Sequence, residues 1–229
     1  MLINPLIPLE PFLPPPDFSD IHFVGSKDQN GLNTGIFFIR VHPWAVKLLS
    51  QTLAYPEFKP EVDLGPAADQ EAMQILFNHT AFLGNVLYQP RIWLNTFEWR
   101  HGYEGKKENG HLLVHFPGLE EDRWPHMQEW CSQVSERGNA WEIPYRNSSY
   151  PGWIRSFWEP LREAQTFGKK LNWWLTFGDL EEDTKEAILP FFEWLKYLAR
   201  FESDNQTGKL KAYIEEIRTR LPQEVKDKW

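Results

Sequence analysis

Apolar and polar positions divide the chain near residue 150. Before it, short apolar runs alternate with helical patterns. Ile21-His-Phe-Val-Gly25, Val86-Leu-Tyr-Gln89 (stopped by Pro90) and Leu112-Leu-Val-His-Phe116 (ended by Pro117-Gly118) carry strand signals. Thr34-Gly-Ile-Phe-Phe-Ile-Arg40 is the strongest. Its Ile-Phe-Phe-Ile run does not alternate, which predicts a strand covered on both faces. Residues 26–33 (SKDQNGLN) predict a turn before it, and residues 105–110 a second polar turn. A helix is expected from His42-Pro43 to Tyr55-Pro56, with Trp44, Leu48, Leu49 and Leu53 at helical spacing. A second is expected over Ala68–Asn78, with Met73, Leu76 and Phe77 inward. After residue 150 the period is helical throughout, with helices expected near 153–166, 183–202 and 207–220. The pattern thus predicts an α/β unit within residues 1–150 and an all-helical extension over 151–229.

The first sixteen residues, MLINPLIPLEPFLPPP, fit neither pattern. Six are proline, which excludes a regular helix or a central strand. A signal peptide is not expected either: no basic residue precedes the apolar run, and Pro5 and Pro8 break it. No stretch reaches the length of apolar residues a membrane span needs, so no membrane segment is expected in this chain. A net charge of −8 without a long basic run argues against nucleic acid as a partner. The single cysteine, Cys131, allows no internal disulfide.

Phosphate-binding loops, dinucleotide fingerprints, zinc-protease motifs and nucleophile elbows are all absent from the sequence. Three features at loop edges carry chemistry. Asn33-Thr34-Gly35 opens the strongest strand, pairing a hydrogen-bonding amide with a glycine that lets a ligand approach the backbone. An ordinary turn would read the same. Asp69-Gln70 begins a helix, where an acidic residue is also favoured by the helix dipole alone. His115 ends an apolar strand, where open α/β sheets place ligand-binding residues and where a neutral imidazole can bind a divalent metal. A satisfied core histidine is the competing reading. Trp93, Phe97, Trp99 and Tyr103 form an aromatic loop whose flat faces suit sugar C–H groups as well as core packing.

In order, NTGIFFIRVHPW, AADQEAMQILF, VLYQPRIWLNTFE and LLVHFPG resemble fungal members of glycosyltransferase family 34, the galactosyl- and mannosyltransferase-like proteins related to xyloglucan xylosyltransferases. The likeness covers roughly residues 1–145. It implies a partial GT-A, Rossmann-like domain and retaining transfer of a hexose or pentose from a nucleotide sugar to a glycan acceptor. It also implies a Mn²⁺ ion and a Golgi or secretory-lumen location. His115 matches the family's metal-binding histidine. Asp69 and Gln70 match the pair beside the transferred sugar, the expected catalytic residues. Asn33, Gly35, Trp93 and Gly118 make up the expected substrate-binding set. The family's Asp-x-Asp metal motif stands just before an Asn-Pro and a proline-rich apolar run. Here that run is Asn4-Pro5 onward, and no Asp-x-Asp occurs in the sequence. The chain is therefore expected to be the C-terminal part of such a domain. A non-catalytic remnant that binds a glycan or a partner, including pairing with a full-length relative, is the alternative expectation.

Overall fold

The computed structural model describes residues 1–99, 102–103, 111–137, 142–178, 180–195, 204–221 and 223–226. The turn expected at 105–110 and the tail of the helix expected to 202 lie outside the described residues. A short strand β1 (Leu2–Ile3) leads into the proline-rich segment, which winds over the core and buries Ile7, Phe12 and Phe18. Strands β2 (Phe23–Asp28) and β3 (Gly31–Ile39) then form an antiparallel hairpin.

The hairpin reaches further than the polar residues 26–33 suggested. Ser26 pairs with Asn33, Lys27 with Leu32 and Asp28 with Gly31, so only Gln29 and Asn30 are left in the turn. The turn is closed by the Asn30 N–H donating to Asp28 Oδ1 at 2.7 Å and by Gly31 at φ 105°. Sequence polarity misplaces this boundary because Ser26 and Asn33 are themselves buried, in register with a buried Leu32.

Two helices follow. In α1 (Pro43–Phe58), Pro43 occupies the first turn and the Trp44 N–H donates to His42 Nδ1 at 3.1 Å; Pro56 lies in the last turn and does not end the helix. After α2 (Ala68–Leu76) and a single turn α3 (Thr80–Leu83) comes strand β4 (Val86–Tyr88), parallel to β2, which completes a sheet of order β3-β2-β4. Alternation along β3 covers both faces, as the unbroken apolar run implied. Phe37 and Ile39 join Phe23, Leu48, Met73 and Leu76 beneath α1 and α2, while Ile36 and Phe38 pack on the opposite cluster with Val24 and Leu87.

Beyond β4 come a helical turn α4 (Arg91–Leu94), the pair β5 (Glu98–Trp99) and β6 (Gly102–Tyr103), and β7 (Leu113–Val114), which pairs antiparallel with β1. Helix α5 (Arg123–Arg137) follows. The helical part contains α6 (Tyr150–Phe177), α7 (Glu182–Leu195), α8 (Asp204–Arg220) and α9 (Gln223–Lys226). Helix α6 is a single 28-residue rod, twice the length of the predicted segment, because Phe157, Leu161, Ala164, Phe167 and Leu171 extend one buried stripe. One hydrophobic cluster runs from Ile7 through Val24 and Leu87 to Leu210 and Leu221, so the helices share their core with the α/β part. The Phe12 ring meets Tyr150 edge-on at 4.9 Å, and Phe18 lies 4.9 Å from Trp158.

Candidate functional site

Strands β2 and β4 run parallel, and the chain leaves both carboxyl ends on the same side of the sheet. That is where open α/β sheets bind ligands. The hairpin turn, the start of β3 and the loop Asn95–Phe97 meet there. His115 follows β7 and is fastened into this loop by the backbone: its N–H donates to Thr96 O, and the Glu98 N–H donates to its carbonyl, each at 2.8 Å. Phe97 forms a parallel bridge with His115, and the two rings meet edge to face at 5.4 Å.

A chain of side-chain hydrogen bonds connects the site. Asn33 Nδ2 donates to Asp28 Oδ2 at 2.8 Å. Asn33 Oδ1 accepts from the Gly35 N–H at 2.9 Å and from Asn95 Nδ2 at 2.7 Å. Asn95 Oδ1 lies 2.6 Å from His115 Nδ1. Asn95 is fully buried, so each of these bonds works in a medium where an unmet amide is costly. Next to them, Gln70 Oε1 accepts from the Thr34 N–H at 2.9 Å and the Thr34 hydroxyl at 3.3 Å, and Gln74 Oε1 accepts from the Leu32 N–H at 2.6 Å. Helix α2 is thereby pinned to the start of β3.

Gly35 is needed for space. A Cβ there would lie 2.8 Å from Asn33 Oδ1 and 3.0 Å from His115 Nδ1, and closer still to Cε1. Burial, reinforced by the N-terminal ammonium and Arg123, holds the His115 imidazole down to about 4, while Asp28 pulls the other way. The ring is therefore neutral at pH 7.

Of the residues singled out in the sequence, the structure brings together Asn33, Gly35 and His115, with Gln70 joined through Thr34. Asp69 is an exposed residue in the first turn of α2, with no side-chain hydrogen bond or ion pair among the described residues. Gly118 is an exposed turn glycine at φ 60°. Trp93 is 2 % exposed and packs edge-on against Phe157 at 5.3 Å, because the α4 turn directs it into the main core rather than toward His115. The sequence reading missed Asn95 and Asp28. Asn95 sits in an irregular stretch where no periodicity marks it, and Asp28 was masked by the apparent turn.

Mn²⁺ prefers oxygen and imidazole donors, and a neutral imidazole such as His115 fits as one of them. Among the described residues no group of three His, Cys, Asp or Glu side chains converges on a common point. One imidazole donor does not by itself make a metal site.

The amide and imidazole groups are thus gathered at the carboxyl ends of the parallel strands β2 and β4 of a three-stranded mixed sheet. Residues 16–123 are similar to the galactosyl transferase GMA12/MNN10 family, glycosyltransferase family 34. An alpha-1,2-galactosyltransferase of Schizosaccharomyces pombe is 31% identical over 117 residues, covering 49% of this chain and 30% of that protein. The chain thus spans less than a third of this curated relative's length. No solved structure matches the chain.

Proposed function

We propose that this chain supplies part of the substrate site of a glycosyltransferase that moves a hexosyl or pentosyl group, with retention, from a nucleotide sugar to a glycan acceptor. The observation that carries the reading is the single hydrogen-bonded group formed by Asn33, Gly35 and His115, inside the segment that matches the family. The amides of Asn33 and Gln70 and the backbone at Gly35 suit sugar hydroxyls, which need donors and acceptors at fixed positions. His115 is the donor this chain offers to a Mn²⁺ ion. A GT-A arrangement and a place in the secretory pathway belong to the same proposal. No helix among the described residues is long and apolar enough to cross a membrane.

Calorimetric titration of UDP- and GDP-hexoses, with and without Mn²⁺, tests the reading. The expected result is saturable binding that strengthens with Mn²⁺ in the parent and loses that strengthening in His115→Ala. Absence of saturable binding for every donor overturns it. Binding of free glycans without any metal dependence favours a non-catalytic binding role instead.

A further inference from the structure

The sequence carries three Asn-x-Ser/Thr triplets outside the residues of the site: Asn78-His-Thr80, Asn147-Ser-Ser149 and Asn205-Gln-Thr207. Such a triplet can carry an N-linked glycan only where the amide nitrogen and the attached sugar both stand in solvent. Asn205 lies in the first turn of α8, and its side chain is outside the described residues. Asn147 is exposed, but Ser149 is half-buried where α6 starts, next to the buried Tyr150. Asn78, His79, Thr80 and Ala81 differ from both. They form an unbroken exposed run in the turn between α2 and α3. The surroundings are open as well: a Cβ at the nearby Gly84 would meet no described atom within 4 Å.

Asn78 also has a structural role, and that role leaves room for a sugar. Helix α2 ends at Leu76, and the last four carbonyls of a helix have no partner within it. Here the Phe77 N–H donates to Met73 O at 2.9 Å, the Asn78 N–H to Ile75 O at 3.1 Å and the His79 N–H to Leu76 O at 2.9 Å. The remaining carbonyl, Gln74 O, accepts from Asn78 Nδ2 at 3.1 Å. That nitrogen carries two hydrogens, and the cap uses one. Glycosylation replaces a single hydrogen, so the amide can hold a glycan and still donate to Gln74 O.

We propose that Asn78 is an N-glycosylation site, modified in the secretory lumen by transfer of an oligosaccharide from a lipid diphosphate donor. A bond forms between Asn78 Nδ2 and the anomeric carbon of the first sugar. The bond from that carbon to the diphosphate oxygen breaks, and its electron pair leaves with the lipid diphosphate. One Nδ2 proton passes to a base of the transferring enzyme, and nothing is oxidised or reduced. The proposal rests on the secretory placement of the previous subsection, because the donor and the transferring enzyme act in the lumen.

The full chain, translated behind a cleavable signal peptide in the presence of microsomal membranes, tests the site. Protection from added protease identifies the chains that have reached the lumen. The expected result is a gel shift that peptide N-glycosidase removes. Digestion in H₂¹⁸O should convert Asn78 to ¹⁸O-labelled aspartate, read by mass spectrometry of the peptide. Asn78→Gln is expected to lose the shift that this site contributes, and Thr80→Ala to lose the label at Asn78. Thr80→Ser, which keeps the hydroxyl, is expected to retain the label. Circular dichroism of the purified chains checks that each variant is folded, as the exposure of both positions implies. A bare Asn78 in protected parent chains overturns the proposal and leaves the glycosyltransferase reading standing. A label at Asn78 that persists in Thr80→Ala overturns it too. The same peptide from the protein purified from its native source separates the two readings. Occupancy there supports both, whereas Asn78 occupied in microsomes but bare in the native protein overturns the secretory placement.

Discussion

Gly35→Ala is the most informative single change. The added Cβ would sit 3.0 Å from His115 Nδ1 and 2.8 Å from Asn33 Oδ1, several tenths of an ångström inside ordinary contact. Relief requires the imidazole to move, yet the ring is held by Asn95 at 2.6 Å and its backbone by Thr96 and Glu98. Overpacking of this kind costs about 1–3 kcal/mol. If the ring swings instead, a buried amide oxygen loses its partner, which costs about the same. Against this, replacing glycine in an ordinary extended conformation stabilises by about 0.4–1 kcal/mol through the unfolded chain. The net expectation is a loss of about 1–3 kcal/mol, read as a lower urea midpoint at unchanged slope. A double-mutant cycle sharpens it. In a His115→Ala background the cost of Gly35→Ala should shrink by at least about 1 kcal/mol, because the ring that blocks the Cβ is gone. Strict additivity of the two changes, or a Gly35→Ala chain as stable as the parent, would refute the packing of His115 on Gly35.

Three further outcomes are expected. Tyr150→Phe removes the hydroxyl that accepts from the Leu112 N–H at 2.8 Å and donates to Trp93 O at 3.0 Å, which should cost about 1–3 kcal/mol in thermal or urea unfolding; an unchanged midpoint would contradict the bridge. Trp93→Ala should cost about 3–5 kcal/mol, while Trp93→Phe lowers stability less and leaves donor affinity unchanged; a selective loss of affinity in Trp93→Phe would move this ring from the core into the site. Burial holds both His115 and His22 below the ordinary histidine value, with the charges of His42 and Arg40 adding to the effect at His22. The unfolded chain therefore takes up protons first as pH falls through about 6.5, and stability should decline from pH 7.5 toward 5. The His115 part is worth about 1–2 kcal/mol once solvent contact is allowed for. His22→Phe should flatten the slope in urea titrations, and a slope that is flat in the parent would refute the depressed values.

The sequence made the alternation of strands and helices legible because each element carries its own period: Trp44 to Leu53 on α1, Ile36 to Ile39 on β3. It exposed Asn33, Gly35 and His115 because each stands where a strand begins or ends. Their mutual contact was not legible. It passes through Asn95, sixty-two positions from Asn33 and twenty from His115, and no local pattern encodes a bond of that span. Polarity misled at Ser26–Asp28, where polar side chains are used inside the fold. Aromatic character misled at Trp93, since a ring suited to a sugar is equally suited to Phe157. The length of α6 escaped because Gly168 and Pro160 interrupt the apparent helix while lying on its buried side.

The cluster that runs from Ile7 to Leu221 has a consequence for genetics. The Phe12 and Phe18 rings meet Tyr150 and Trp158 of α6. A premature stop codon ahead of α6 would remove those partners and leave the sheet's outer cluster open to water. Such an allele should behave as a null through degradation of the product. Missense alleles at Asn33, Asn95 or His115 should form a second class, with protein still detectable and sugar chemistry altered. Immunoblotting of alleles ranked by phenotype would separate damage to the scaffold from damage to the site.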